Sequence, residues 1–241
     1  TRYWRDWSSD VCSSDLPYMQ QVHFTLQRQL AQNTLVEAGY VGSLGRKLGG
    51  YLEVNPAVPG PGATLANTQQ RRLYPDFNLV RPTFSRFNSH YHAFQTRLEK
   101  RYSRGLQAML SYTWSKAIDY QSSINFSGET RPQDAFSLSD VRGLAAFDVR
   151  HRVVTSFGYE LPFRQRWFGG WTLLGIVSAQ SGGPLTVTEP VDVSLRGLGA
   201  DRPDQIANPN DGPRTPRQWF NTAAFLRLPA AAGGQRSGTA G

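Results

Sequence analysis

Cysteine is nearly missing from this chain: Cys12 is the only one in 241 residues. One thiol cannot close an internal disulfide and is too few for a cysteine-ligated metal cluster. No run of about 18 apolar residues occurs, so no helix can span a bilayer. That absence leaves membrane strands open, because barrel strands alternate in polarity and give a weak hydropathy signal. No secretory leader opens the sequence. There is no phosphate-binding glycine loop, no dinucleotide fingerprint and no nucleophile–histidine–acid signature. The expectation is therefore a protein that is not an enzyme and carries no cofactor.

What is present points to strands. Aromatic residues make up 12%, with 23 glycines and 15 prolines, a mix that suits many strands joined by loops better than a helical core. The formal charge is +8, and a basic balance raises nucleic acid as a partner. The arginines are scattered along strands and turns, in no run and on no one helix. Nucleic acid is not expected.

Arg5–Leu16 reads RDWSSDVCSSDL, which matches the translation of a common sequencing-library adapter. Residues 1–16 are therefore expected to be foreign, Cys12 with them, and 17–241 to be the genuine domain. The closing GGQRSGTAG reads as a truncation.

Period-two alternation marks half-buried strands. In QVHFTLQRQL (21–30), Val22, Phe24, Leu26 and Leu30 share one face, interrupted by Arg28, and Gln21, His23, Thr25, Gln27 and Gln29 share the other. A Gln32-Asn33 turn leads to a second strand over 34–43. Residues 44–89, rich in Gly, Pro and Asn, read as one long loop, a length uncommon in compact soluble domains. Tyr91–Tyr102 alternates next, with His92, Phe94, Thr96, Leu98, Lys100 and Tyr102 on one face. A Ser103-Arg104-Gly105 turn returns the chain through 105–117. A second long polar stretch covers 117–147. Val149–Leu161 and Trp171–Gln180 form a third hairpin, and Pro184–Thr188 a candidate seventh strand. Leu174 and Ile176 blur the faces of 171–180. The remainder reads as loop.

Strand, short turn, strand, long loop, three times over, is the connectivity of an antiparallel up-and-down transmembrane barrel, with strands of the length that crosses a bilayer at a tilt. The expected fold class is all-β: a partial barrel of about six or seven strands with long outer loops, in the cell outer membrane and in contact with its lipid.

Charges aimed at lipid would cost about 2–4 kcal/mol each for Arg or Lys at mid-membrane. Arg97, Glu99 and Arg101 on one strand, and Arg150, Arg152 and Glu160 on another, are therefore expected to form a lumen-facing polar wall. Tyr112, Trp114, Tyr159 and Trp171 are expected at the membrane interfaces; stacking on sugars is the less favoured role for such aromatics. His90 and His92 share a strand face and could begin a metal site. No carboxylate or cysteine completes it, and no metal is expected.

Several segments resemble the barrel region of Oar-like TonB-dependent receptors: PYMQQVHFTLQRQL, LVEAGYVGSLGRKL, YHAFQTRLEKRYSRGLQAMLSYTWSKAID, FDVRHRVVTSFGYELPF, GGWTLLGIVSAQSGGPLTV and WFNTAAF. They occur in the family's order and cover most of the chain after Pro17. The resemblance implies a barrel of about 22 strands, closed by a plug domain and energised by TonB, for an unknown substrate. The alternatives are a passive outer-membrane channel or surface-structural barrel, and, from another class, a soluble all-β sugar-binding domain.

Overall fold

The computed structural model describes residues 16–122, 138, 141–163, 167, 169–199 and 201–228. The foreign-segment expectation for 1–16 and the truncation expectation for the closing residues lie, but for Leu16, outside them. The strands are β1 (Tyr18–Ala31), β2 (Thr34–Tyr51), β3 (Thr83–Ser103), β4 (Leu106–Asp119), β5 (Gly143–Leu144), β6 (His151–Glu160), β7 (Thr172–Gln180), β8 (Asp204–Gln205) and β9 (Phe225–Leu226). Among the described residues two complete 3-10 turns, Gln69–Arg71 and Thr222–Ala224, accompany them, and none of these residues is in an α-helix.

Six long strands form one antiparallel sheet in chain order, β1-β2-β3-β4-β6-β7, with β5 pairing beside β6 on the outer end of β4. The all-β, up-and-down reading holds, and the sheet is open. The tight turns share one end of it. Gln32 and Asn33 join β1 to β2, and Arg104 and Gly105 join β3 to β4. Arg104 (φ 53°) and Gly105 (φ 79°) both take left-handed backbone. This mirror-image turn matches the twist of the flanking strands. The opposite end, called the outer end below, carries the long connections 52–82 and 120–150.

Three boundaries differ from the sequence reading. The loop expected over 44–89 is shorter, because β2 runs on to Tyr51 and β3 begins at Thr83. The glycine-rich stretch keeps pairing through Gly49↔Ser85, Gly50↔Phe84 and Tyr51↔Thr83. Bulges around Leu48, with Lys47 at φ 53°, break the alternation that would have announced a strand. Pro184–Thr188 is not a strand: Pro184 lacks the N–H a ladder needs. The third difference is a one-residue bulge between Lys100 and Ser103. It swaps the faces beyond it, so Tyr102 leaves the apolar face on which alternation placed it.

The sheet buries almost nothing between layers. Every residue of β1 is exposed. Buried apolar residues instead cluster at the outer end and in the connections: Leu52, Ala57, Ala63, Phe87, Val141, Ala145, Val193, Leu195 and Leu198. The core of this chain sits at the outer end of the sheet and in the connections.

Candidate functional site

Register turns single-strand alternation into two continuous faces. One row across the sheet reads Leu26, Ala38, Thr96, Tyr112, Val153, Ala179. The next row toward the tight turns reads Arg28, Val36, Leu98, Leu110, Thr155, Val177. These rows form the apolar face. On the other side, one row reads Gln27, Glu37, Arg97, Ser111, Val154, Ser178. Gln29, Leu35, Glu99, Met109, Ser156 and Ile176 follow it.

The polar face is the concave one. A trough of about 610 Å³ runs along it near the tight turns, lined by Arg97, Glu99, Arg101, Gln107, Ser156 and Ile176 among others. Glu99 sits between two arginines: Arg97 Nη2 donates to its Oε2 at 2.9 Å, and Arg101 Nε lies 3.6 Å from its Oε1. Exposed ion pairs of this kind contribute at most about 1 kcal/mol each, so the triad keeps charge on the wall rather than holding the sheet together. The bulge delivers Tyr102 to this face, where its hydroxyl donates to Glu160 Oε2 at 2.5 Å.

The expected wall is therefore two groups. Arg97, Glu99 and Arg101 come together, with Glu160 held separately by Tyr102. Arg152 lies opposite Thr113 and Gln180, toward the outer end. Arg150 lies just before β6, where its carbonyl accepts from Ser115 N–H, and its guanidinium pairs with Asp148 at 3.7 Å. Glu37, directly opposite Arg97 and bonded by Gln27, belongs to the same wall. Sequence reading missed it because cross-strand register is not visible in one strand. Leu174 and Ile176 point to this polar side, opposite Gly158 and Ser156, and stay 70% and 79% exposed.

On the apolar face the aromatics form two bands. The outer band holds Tyr40, Phe94 and Trp114 in one row, ending at His151. Tyr112 lies one row inward, and its hydroxyl meets His151 Nδ1 at 2.9 Å. Tyr40 makes the same contact with His92 Nδ1 at 2.6 Å. Its ring lies over Gly42, where a Cβ would come within 2.9 Å of the hydroxyl; only glycine leaves that path open. Tyr159 pairs with Leu106 and Leu173 near the tight turns, and exposed Trp171 stands just before β7. On β4, Leu106 to Trp114 is eight steps, about 27 Å along the strand. At a tilt of about 40° this is an apolar band roughly 21 Å tall, close to that of outer-membrane barrels.

His90 and His92 share a face but turn to different partners, Arg46 and Tyr40. Among the described residues, no three of His, Cys, Asp or Glu are placed to hold a metal.

A family model described as an outer membrane beta barrel domain matches residues 9–241. The chain belongs to that family. No curated protein matches it, and no solved structure does. An outer-membrane barrel domain lies in the cell outer membrane, which agrees with the alternating faces, the two aromatic bands and the one-sided long loops.

The outer loops of this barrel are ordered by buried polar side chains. Asn55 is fully buried; its amide donates to the carbonyls of Tyr74, Phe77 and Asn78, and its Oδ1 accepts from Tyr74 N–H. Glu53 Oε1 accepts from the N–H groups of Asn55 and Val80. Arg71 ties this loop to a distant one, donating to the carbonyls of Val58 and Leu195. Asp192 and Asp201 organise the second loop around Ser194, whose N–H donates to Asp201 and whose hydroxyl donates to Asp192. Burial raises the pKa of Asp201 and the nearby Asp192 adds to the rise, against the hydrogen bonds from Ser194. At the outer end of the polar face Ala93, Ser115, Ala117 and Asp119 are all buried, whereas Trp114 and Lys116 on the other face are exposed. The loop chain lies over the concave side.

Proposed function

We propose that this chain is a section of the wall of a TonB-coupled outer-membrane receptor, with its apolar face in lipid and its concave polar face around an internal plug. It takes up an unidentified solute and performs no chemistry on it. The observation that carries the reading is the polar face. It mixes a charged wall (Arg97, Glu99, Arg101, Glu37) with bare apolar side chains, Leu174 and Ile176. A water-filled pore has no use for these, and a docked protein body would cover them. The ordered run of Oar-like segments supports the same reading. So does the open sheet, whose β1 and β7 edges have no strand partner among the described residues.

Conductance tests it. The intact protein in a planar bilayer should be closed at rest and open only when urea loosens the plug. Steady conductance through the untreated protein would favour a passive channel and refute the proposal. Recovery of the intact protein from the soluble periplasm would refute the barrel placement itself.

A further inference from the structure

Beyond the outer aromatic band the apolar face changes character. The next row holds Gly42, His92 and Lys116, and the one after it Leu44, His90 and Ile118. Arg46 follows on β2 and reaches back, Nη1 lying 3.1 Å from His90 Nε2. Arg142 also lies close enough for its charge to act on His90. No Asp or Glu occupies these rows, and Lys116 and Arg142 have no acidic partner among the described residues.

Hydrogen-bond chemistry fixes the role of His90, and the tautomer of His92 sets the other. A guanidinium only donates, so His90 Nε2 accepts, and His90 is a neutral prop that orients Arg46. A Tyr40 hydroxyl donating to His92 Nδ1 leaves the ring proton on Nε2, which then presents an N–H away from the phenol. Arg46, His92 and Lys116 thus offer donors on neighbouring strands, His92 directly opposite Lys116. Directly paired side chains lie about 5 Å apart at Cβ, a spacing that one tetrahedral anion bridges.

Height selects the anion. Each two-residue step along a strand advances about 7 Å. At a tilt of about 40°, His92 then lies roughly 5 Å above the aromatic band and His90 roughly 10 Å above it. The headgroup layer of a bilayer begins at the edge of the hydrocarbon and is several ångströms deep. We infer that Arg46, His92 and Lys116 form a binding site for the phosphate of an outer-leaflet lipid headgroup. This rests on the proposed placement of the apolar face in lipid.

The test uses the intact protein in phosphatidylcholine bilayers, with bisphosphorylated lipid A, with its dephosphorylated form, or with inorganic phosphate alone. Native mass spectrometry reads the lipid retained. Phosphorylated lipid should be retained over the dephosphorylated form, and inorganic phosphate should compete weakly. Combining Arg46→Ala with Lys116→Ala should reduce retention about tenfold or more, since it removes both cations that would pair with the phosphate. The charge-keeping Lys116→Arg should retain the lipid, which separates loss of the site from loss of the fold. Equal retention of the two lipid forms, or retention unaffected by the double substitution, would overturn the site. Full competition by inorganic phosphate would overturn the lipid assignment. A protein that never enters bilayers would instead sink the placement on which the site rests.

Discussion

Leu110 and Met109 are neighbours on β4 at one depth, and they point to opposite sides. Leu110 stands between Leu98 and Thr155 on the apolar face, four residues from Trp114 and four from Leu106, the middle of the band. Met109 stands between Glu99 and Ser156 on the polar face. Leu110→Arg puts a guanidinium into hydrocarbon at its deepest point, a loss of about 2–4 kcal/mol, or roughly 30- to 900-fold in the folding equilibrium. Met109→Arg puts the same group beside the Glu99 carboxylate on the face turned away from lipid, and its loss should be the smaller of the two. Urea unfolding of the intact protein in lipid bilayers, followed by the mobility shift between folded and heated protein on gels, measures both. Equal losses, or a larger loss at 109, would show that the faces have been assigned backwards.

The outer loops and the turns give further expectations. Asn55→Asp removes an amide that donates to three carbonyls and sets a carboxylate among them. The loop should open locally at a loss of about 3 kcal/mol or more, read as protease cleavage near residues 74–78 with the barrel intact. Asp201 holds its proton more tightly in the folded loop than in the open one. Its contribution to stability is present at low pH and is lost as pH rises from the ordinary aspartate range, about 3.9, through the raised folded value. Hydrogen exchange over 189–202 should therefore quicken across that window, and Asp201→Asn should flatten the dependence. Arg104→Gly should stabilise the β3–β4 hairpin by up to about 1 kcal/mol, because a side chain at φ 53° is tolerated rather than favoured; an unchanged or lowered unfolding midpoint would count against this.

The wall was readable from sequence because one physical rule, period two, governs it. Phe94 and Leu98 fall on their observed face by counting alone. Counting failed at Arg101–Tyr102, where a single extra residue reverses the faces, and over 44–51, where glycines keep a ladder without leaving an alternating signature. The polar wall was half legible. The Arg97–Glu99–Arg101 grouping lies within one strand, while Glu37 joins it only through register and Arg150 pairs instead with Asp148 just before β6. The outer cap was not legible. Asn55 looks like any loop asparagine until the carbonyls of 74–78 close around it, and the Arg71 bond to Leu195 spans 124 residues. Nothing local announces either.

The location of the core at the outer end of the sheet and in the connections inverts the usual map of tolerance. In a protein surrounded by water, exposure predicts freedom to vary, and the interior must be greasy. Here Leu26, 63% open to its surroundings, is among the positions least able to accept a charge, because those surroundings are oil. The largest fully buried side chains, Asn55, Ser194 and Asp201, are polar and held by specific partners. A scan that ranked substitutions by accessibility would misjudge both regions. Leu26 would pass as dispensable, and an isosteric apolar replacement at Asn55 would pass as harmless.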